Sequence, residues 1–92
     1  MGSKPIEVEV RGTKVSVDPV KLKSWRAFKM VAALQSPDAT EFEKIGTAMA
    51  FVSLVAGMDE ESIVEAVGGE DAPAEDVVAF VTEVISGCYP KN

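Results

Sequence analysis

The chain has 92 residues, 47% of them hydrophobic and 26% charged, with a formal net charge of −6. These values fit one small domain with enough apolar side chains for a core, and they exclude a second core or a disordered chain. There is no histidine and a single cysteine, Cys88, which excludes Ser-His and Cys-His dyads, imidazole-ligated zinc and an internal disulfide.

The start, Met1-Gly2-Ser3-Lys4, carries no apolar run of a secretory signal, and the lone thiol suits a reducing compartment, so a cytoplasmic protein is expected. Ile6, Val8 and Val10 alternate with Glu7, Glu9 and Arg11, and Val15 and Val17 alternate with Lys14, Ser16 and Asp18. This period of two predicts a β-hairpin over 6–17. A Gly12-Thr13 loop of type II′ would pair Val10 with Val15 and Val8 with Val17. A lone hairpin is marginal in water, so helices must cover its valine face. Asp18-Pro19 reads as N-cap and first residue of a helix running to about Gln35, with Leu22, Trp25, Phe28 and Val31 or Ala32 as its stripe. Trp25 and Phe28 are expected to cover the hairpin.

Ser36-Pro37-Asp38 breaks the chain, and Thr40 with Glu43 forms a capping box for a second helix with the seam Phe42, Ile45, Met49, Val52 and Ala56, ended by Gly57. The uncharged run Ile45–Met58 is 14 residues long, short of the roughly 20 that a membrane span needs, and reads as a buried helix. Asp59 caps a short third helix, with Met58 and Ile63 spaced as a hydrophobic staple, and Gly68-Gly69 stops it. Ala72-Pro73 opens a fourth, with Val77, Phe80, Val81 and Val84 inward and Gly87 as its stop; residues 88–92 read as an irregular tail. The expected fold is α+β and mostly helical: one compact domain over 1–92, with a hairpin at 6–17 and about four helices over 19–87.

Charge is uneven. Residues 1–46 hold eight bases against six acids, whereas residues 47–92 hold only Lys91 against nine acids. Such polarity orients partners or favours head-to-tail contact between copies, or it marks two solvated faces of opposite sign. The second and third helices have the spacing of a helix-turn-helix around Gly57. The third, however, carries Asp59, Glu60, Glu61 and Glu65 and no base, so phosphates would repel it. Lys21, Lys23, Arg26 and Lys29 around Trp25 form an alternative basic strip for nucleic acid, or a solvated helix face. The net −6 opposes a polyanion partner. The acidic clusters lack the spacing of a calcium loop and fall at helix starts, where the dipole and free N–H groups favour them. Gly68-Gly69 lacks the Lys-Ser/Thr of a phosphate loop, and Cys88 has no base beside it in the sequence. No catalytic, cofactor-binding or metal-binding residue is identified.

What remains is surface. The second helix is apolar beyond its seam, through Ala48, Phe51, Leu54 and Val55. It is either packed on two sides or offers an outer stripe to a partner. Ala48, Phe51, Leu54 and Val55 with Trp25 of the first helix are therefore the candidate partner-binding residues. Tyr89 reads as a core lid or an exposed contact.

The order of parts is a short Gly-turn hairpin, a Trp-bearing helix after Asp18-Pro19, an apolar helix ended by Gly57, two acidic helices and a closing Pro90-Lys91-Asn92. It resembles the small tail assembly chaperones of long-tailed phages, a resemblance of layout over most of the chain, with Trp25 and Lys91-Asn92 as its residue-level features. The resemblance implies a non-enzymatic helical protein that coats apolar segments of a tape measure protein in the host cytoplasm, self-associates, and also occurs in a longer frameshifted form. A small regulatory or nucleic-acid-associated protein, acting through the bases of the first helix, is the alternative.

Overall fold

A computed structural model describes residues 4–89. Strands β1 (Ile6–Val10) and β2 (Thr13–Val17) pair antiparallel, as the alternating valines require. Their loop is Arg11-Gly12, not Gly12-Thr13. Both residues have positive φ, +52° and +83°, the requirement of a type I′ turn, whose twist matches that of the strands. Val15 consequently faces Val8, and Val17 faces Ile6. Relative to the expected register each β2 residue slides by two positions along β1, and a two-residue slide leaves every side chain on its own face. Val10, Val15 and Val17 are all buried.

Asp18 caps α1 (Pro19–Leu22) by accepting a 2.9 Å hydrogen bond from the Val20 N–H. The helix expected to run on to Gln35 stops after this one turn. Ser24 interrupts it, donating its hydroxyl to the Lys21 carbonyl at 2.6 Å and accepting from the Ala27 N–H at 3.2 Å. A serine that satisfies backbone groups on both sides competes with helix continuation. Ser24 thus starts a second helix, α2 (Trp25–Leu34), and the described residues hold five helices where the sequence suggests about four.

The capping box of α3 (Glu41–Ala56) forms as the sequence predicts. Thr40 Oγ1 accepts from the Glu43 N–H at 3.1 Å, and Glu43 Oε1 accepts from the Thr40 N–H at 2.8 Å. Gly57 closes the helix in the left-handed region, φ +69°. Asp59 caps α4 (Glu60–Ala66), and the buried Ile63 with the partly buried Met58 anchors it to the core.

Helix α5 (Ala74–Cys88) passes through Gly87 instead of ending there, which carries Cys88 into the core and out of the expected tail. The glycine serves a close approach: a Cβ at position 87 would lie 2.5 Å from Val8 Cγ1. Pro90, Lys91 and Asn92, the closing residues of the tail, lie outside the described residues.

Helix α3 is central. Strand β2 and α1 pack beside it, α2 lies along it, and α5 packs against both α3 and β1, with α4 on α5. Phe51, Phe80 and Ile63 form the bulk of the core together with the valines of the hairpin, α3 and α5. The Val55 carbonyl, left over in the last turn of α3, accepts a 2.7 Å hydrogen bond from the Asp18 N–H and ties the end of β2 to that helix. Arg11 at the hairpin tip lies 3.7 Å from Asp76 and 3.6 Å from Glu83 of α5. Pairs this exposed contribute at most about 1 kcal/mol.

The Gly87–Val8 contact generates a test. Gly87→Ala should destabilise the protein by about 1–3 kcal/mol in urea unfolding, the cost of overpacking a stiff β-branched neighbour, although alanine is the better helix former by about 1 kcal/mol. Adding Val8→Ala should restore part of that loss, giving a non-additive double-mutant cycle.

Candidate functional site

The position of α2 decides which side chains reach solvent. Its inward arc is Ala27, fully buried, flanked by the partly buried Met30, Val31 and Leu34. On a 100° helical wheel this arc leaves Trp25 and Phe28 on the outer side. Trp25 is 69% and Phe28 61% exposed, with rings stacked at 5.4 Å between centroids and 25° between planes. They do not cover the hairpin as the stripe pattern implies, because Ser24 restarts the helix and the small Ala27 takes the inward position. Helices α3 and α5 cover the hairpin in their place.

The candidate partner-binding residues of α3 are also placed differently. Phe51, Val55 and Ala48 belong to the buried core, and Leu54 is half-buried against it. Conversely Phe42, assigned to the inner seam, is 87% exposed. The inward face of α3 is thus centred on Phe51, Val52 and Val55, and of the five candidates only Trp25 stands at the surface. The cause is the central place of α3, which is covered from several sides and apolar around most of its circumference, so its periodicity gives no firm phase.

Sequence reasoning missed the surface that α2 builds with α5. Leu22, Phe28, Val31, Leu34, Ile85 and Tyr89 line an open depression of about 650 Å³. Leu34 and Ile85 also line a narrower cleft of about 270 Å³ between α3 and α5, which continues past Ile45, Ala48 and Val78. The two adjoin through Leu34 and Ile85 and together are termed the trough; Lys23 borders the first, and Glu41 and Lys44 border the second. Tyr89 fills both roles proposed for it: its ring lies 6.4 Å from that of Phe51, and its outer side, 47% exposed, edges the trough. A larger depression of about 770 Å³ between α2 and α3 is more open and lined by small or polar residues such as Ala33, Ser36, Gly46 and Thr47. It offers few large apolar anchors.

Cys88, Tyr89 and Asp59 are shifted from their ordinary values by their places in the fold. Burial pushes the Cys88 thiol above its ordinary value, and burial together with the neighbouring Cys88 does the same to Tyr89. Asp59 is held below the ordinary carboxylate value by the hydrogen bond that it accepts from the Ser62 N–H at 2.8 Å. Among the described residues no three acidic or thiol side chains converge as a metal-ligand set, and none of the buried side chains is polar or charged apart from the thiol. In comparisons with known protein families, curated proteins and solved structures, the chain matches none.

Two measurements check this electrostatic picture. Cys88 should react slowly with a thiol reagent in the native protein and rapidly in denaturant, because the thiolate is both buried and disfavoured. The cap of α4 should weaken in acid: a carboxyl whose folded pKa is depressed contributes stability above its unfolded value, about 3.9, and loses it as pH falls through the folded value. Asp59→Asn keeps a capping side chain but no charge, so its Tm should fall less steeply than that of the unmodified protein between about pH 5 and 2.

Proposed function

We propose that this chain is a non-enzymatic binding protein that shelters an apolar helical segment of a partner protein in the trough between α2, α3 and α5. The observation that carries the reading is the solvent exposure of Phe28, which lines an apolar depression, and of Trp25 stacked on it. An isolated exposed leucine is ordinary on a protein surface, whereas a contiguous apolar patch with aromatic anchors marks a place of association. The fit is helix-in-groove: apolar side chains at positions i, i+3, i+4 and i+7 of the partner enter the trough. Covering it contributes about 25 cal/mol per Å² before the ordering of both partners is subtracted. The stretch of α2 that lines it, from Ser24 to Gln35, is about 17 Å long at 1.5 Å per residue, enough for roughly three turns of an incoming helix.

The resemblance in layout to tail assembly chaperones supports the same reading and supplies the class of partner: apolar segments of a tape measure protein, held in the host cytoplasm until assembly. No helix among the described residues is long and apolar enough to cross a membrane, which agrees with action away from the bilayer. The second reading, nucleic-acid association, is favoured by one observation: Lys21, Lys23, Arg26 and Lys29 are all exposed around Trp25.

Trp25 is the only tryptophan and stacks on Phe28, which lines the trough, so its emission reports on the trough through that ring. Titration with a synthetic amphipathic peptide of about 18 residues carrying a leucine stripe should shift that emission to the blue. Phe28→Asp should weaken binding at least about tenfold while leaving Tm nearly unchanged, since Phe28 is mostly solvated. Phe51→Asp, by contrast, should abolish folding by burying a charge in the core. Full binding by a folded Phe28→Asp variant would refute the proposed surface.

A further inference from the structure

The chemistry of the occupant can be narrowed, on the assumption that the trough binds a helix. Between Pro19 and Gln35 the chain carries Lys21, Lys23, Arg26 and Lys29 and no acid, in a protein whose net charge is −6. All four are exposed, and none lies in an ion pair with another described residue; both of the described ion pairs use Arg11, at the tip of the hairpin. Lys23 borders the trough at the Leu22–Phe28 end, whereas Lys29, about 160° from Val31 on the helical wheel, stands on the outer side of α2. The α5 wall, built by Val78, Val81, Thr82, Ile85 and Ser86, carries no charge, and the far end holds Glu41 beside Lys44. An apolar surface is therefore flanked at one end by positive charge that the fold does not neutralise.

We infer that the trough takes an amphipathic helix whose apolar stripe is edged by acidic residues, with those acids placed over the Lys23 end. Opposite charges at the rim would speed encounter and fix the direction in which the helix lies, while apolar burial supplies the affinity. Two other occupants fit less well. A nucleic acid would leave the aliphatic lining of Leu22, Val31, Leu34 and Ile85 without a suitable partner, and the Trp25 and Phe28 rings already stack on each other. A second copy would supply acids from α4 and α5, but Ile63, Phe80, Val81 and Val84, the apolar residues beside those acids, are buried in their own core.

The test compares two peptides with an identical leucine stripe, one flanked by glutamates and one by lysines, titrated against Trp25 emission. The acidic peptide should bind at least about tenfold more tightly at low salt. That advantage should shrink near 1 M salt, where the Debye length falls to about 3 Å. The variant Lys23→Glu, changed at an exposed position, should lose or invert the preference while keeping its Tm. Equal binding of both peptides overturns the inference and leaves the trough as a site. Binding of neither overturns the trough reading as well. Competition for Trp25 by a single-stranded oligonucleotide that outbinds the acidic peptide, or a rise in mass by light scattering that abolishes peptide binding, overturns the inference in favour of nucleic acid or self-association.

Discussion

Phe51, Val52 and Val55 make the middle of α3 a surface that must be kept from water on several sides at once, and the neighbouring elements take their places from that requirement. β2 with its buried Val15 and Val17 lies on one side, α5 with Phe80 and Val84 on another, and α2 runs along a third. A domain of this size buries only about two thirds of the surface its unfolded chain exposes, so a single central helix is the economical way to build a core without a disulfide. The Asp18–Val55 hydrogen bond fixes the hairpin to that helix where the α3 carbonyls run out of partners.

Helix α2 has only one core-facing side, and it fills that side with Ala27, Met30, Val31 and Leu34. Its aromatic residues then stand outward, stacked on each other, with Phe28 sharing a depression with Ile85 and Tyr89. Mutual stacking removes part of two rings from water at little structural cost, yet most of each ring stays solvated. Polar residues there would cost the isolated molecule less, and the binding surface proposed above rests on this exposure.

Features that depend on a few neighbouring residues are legible in the sequence: the valine alternation, the caps at Asp18, Thr40 and Asp59, and the left-handed Gly57. Features that depend on distant residues are not. Gly12 fits a two-residue loop with Arg11 as well as with Thr13, and pairing of the whole hairpin settles the register. Ser24 is an unremarkable helix residue until its hydroxyl takes the Lys21 carbonyl. Gly87 looks like a stop until Val8 is found against it. Helix α3 is apolar on too many sides for periodicity to say which one faces inward, and for that reason four of the five candidate contact residues come from a helix that belongs to the core. The trough itself, assembled from α2, α3 and α5 with one side chain from α1, has no sequence signature.

The seating of Val8 against Gly87 also bears on how the molecule is made. Almost the whole described chain separates the two, so β1 emerges from the ribosome early and waits for the last described helix before its valine face is covered. Synthesis at about 5–20 residues per second makes that wait several seconds, long against the roughly 1–10 μs in which a hairpin forms. β2 can meet α3 well before that, so the cover of the hairpin is completed in two stages, the β1 side last.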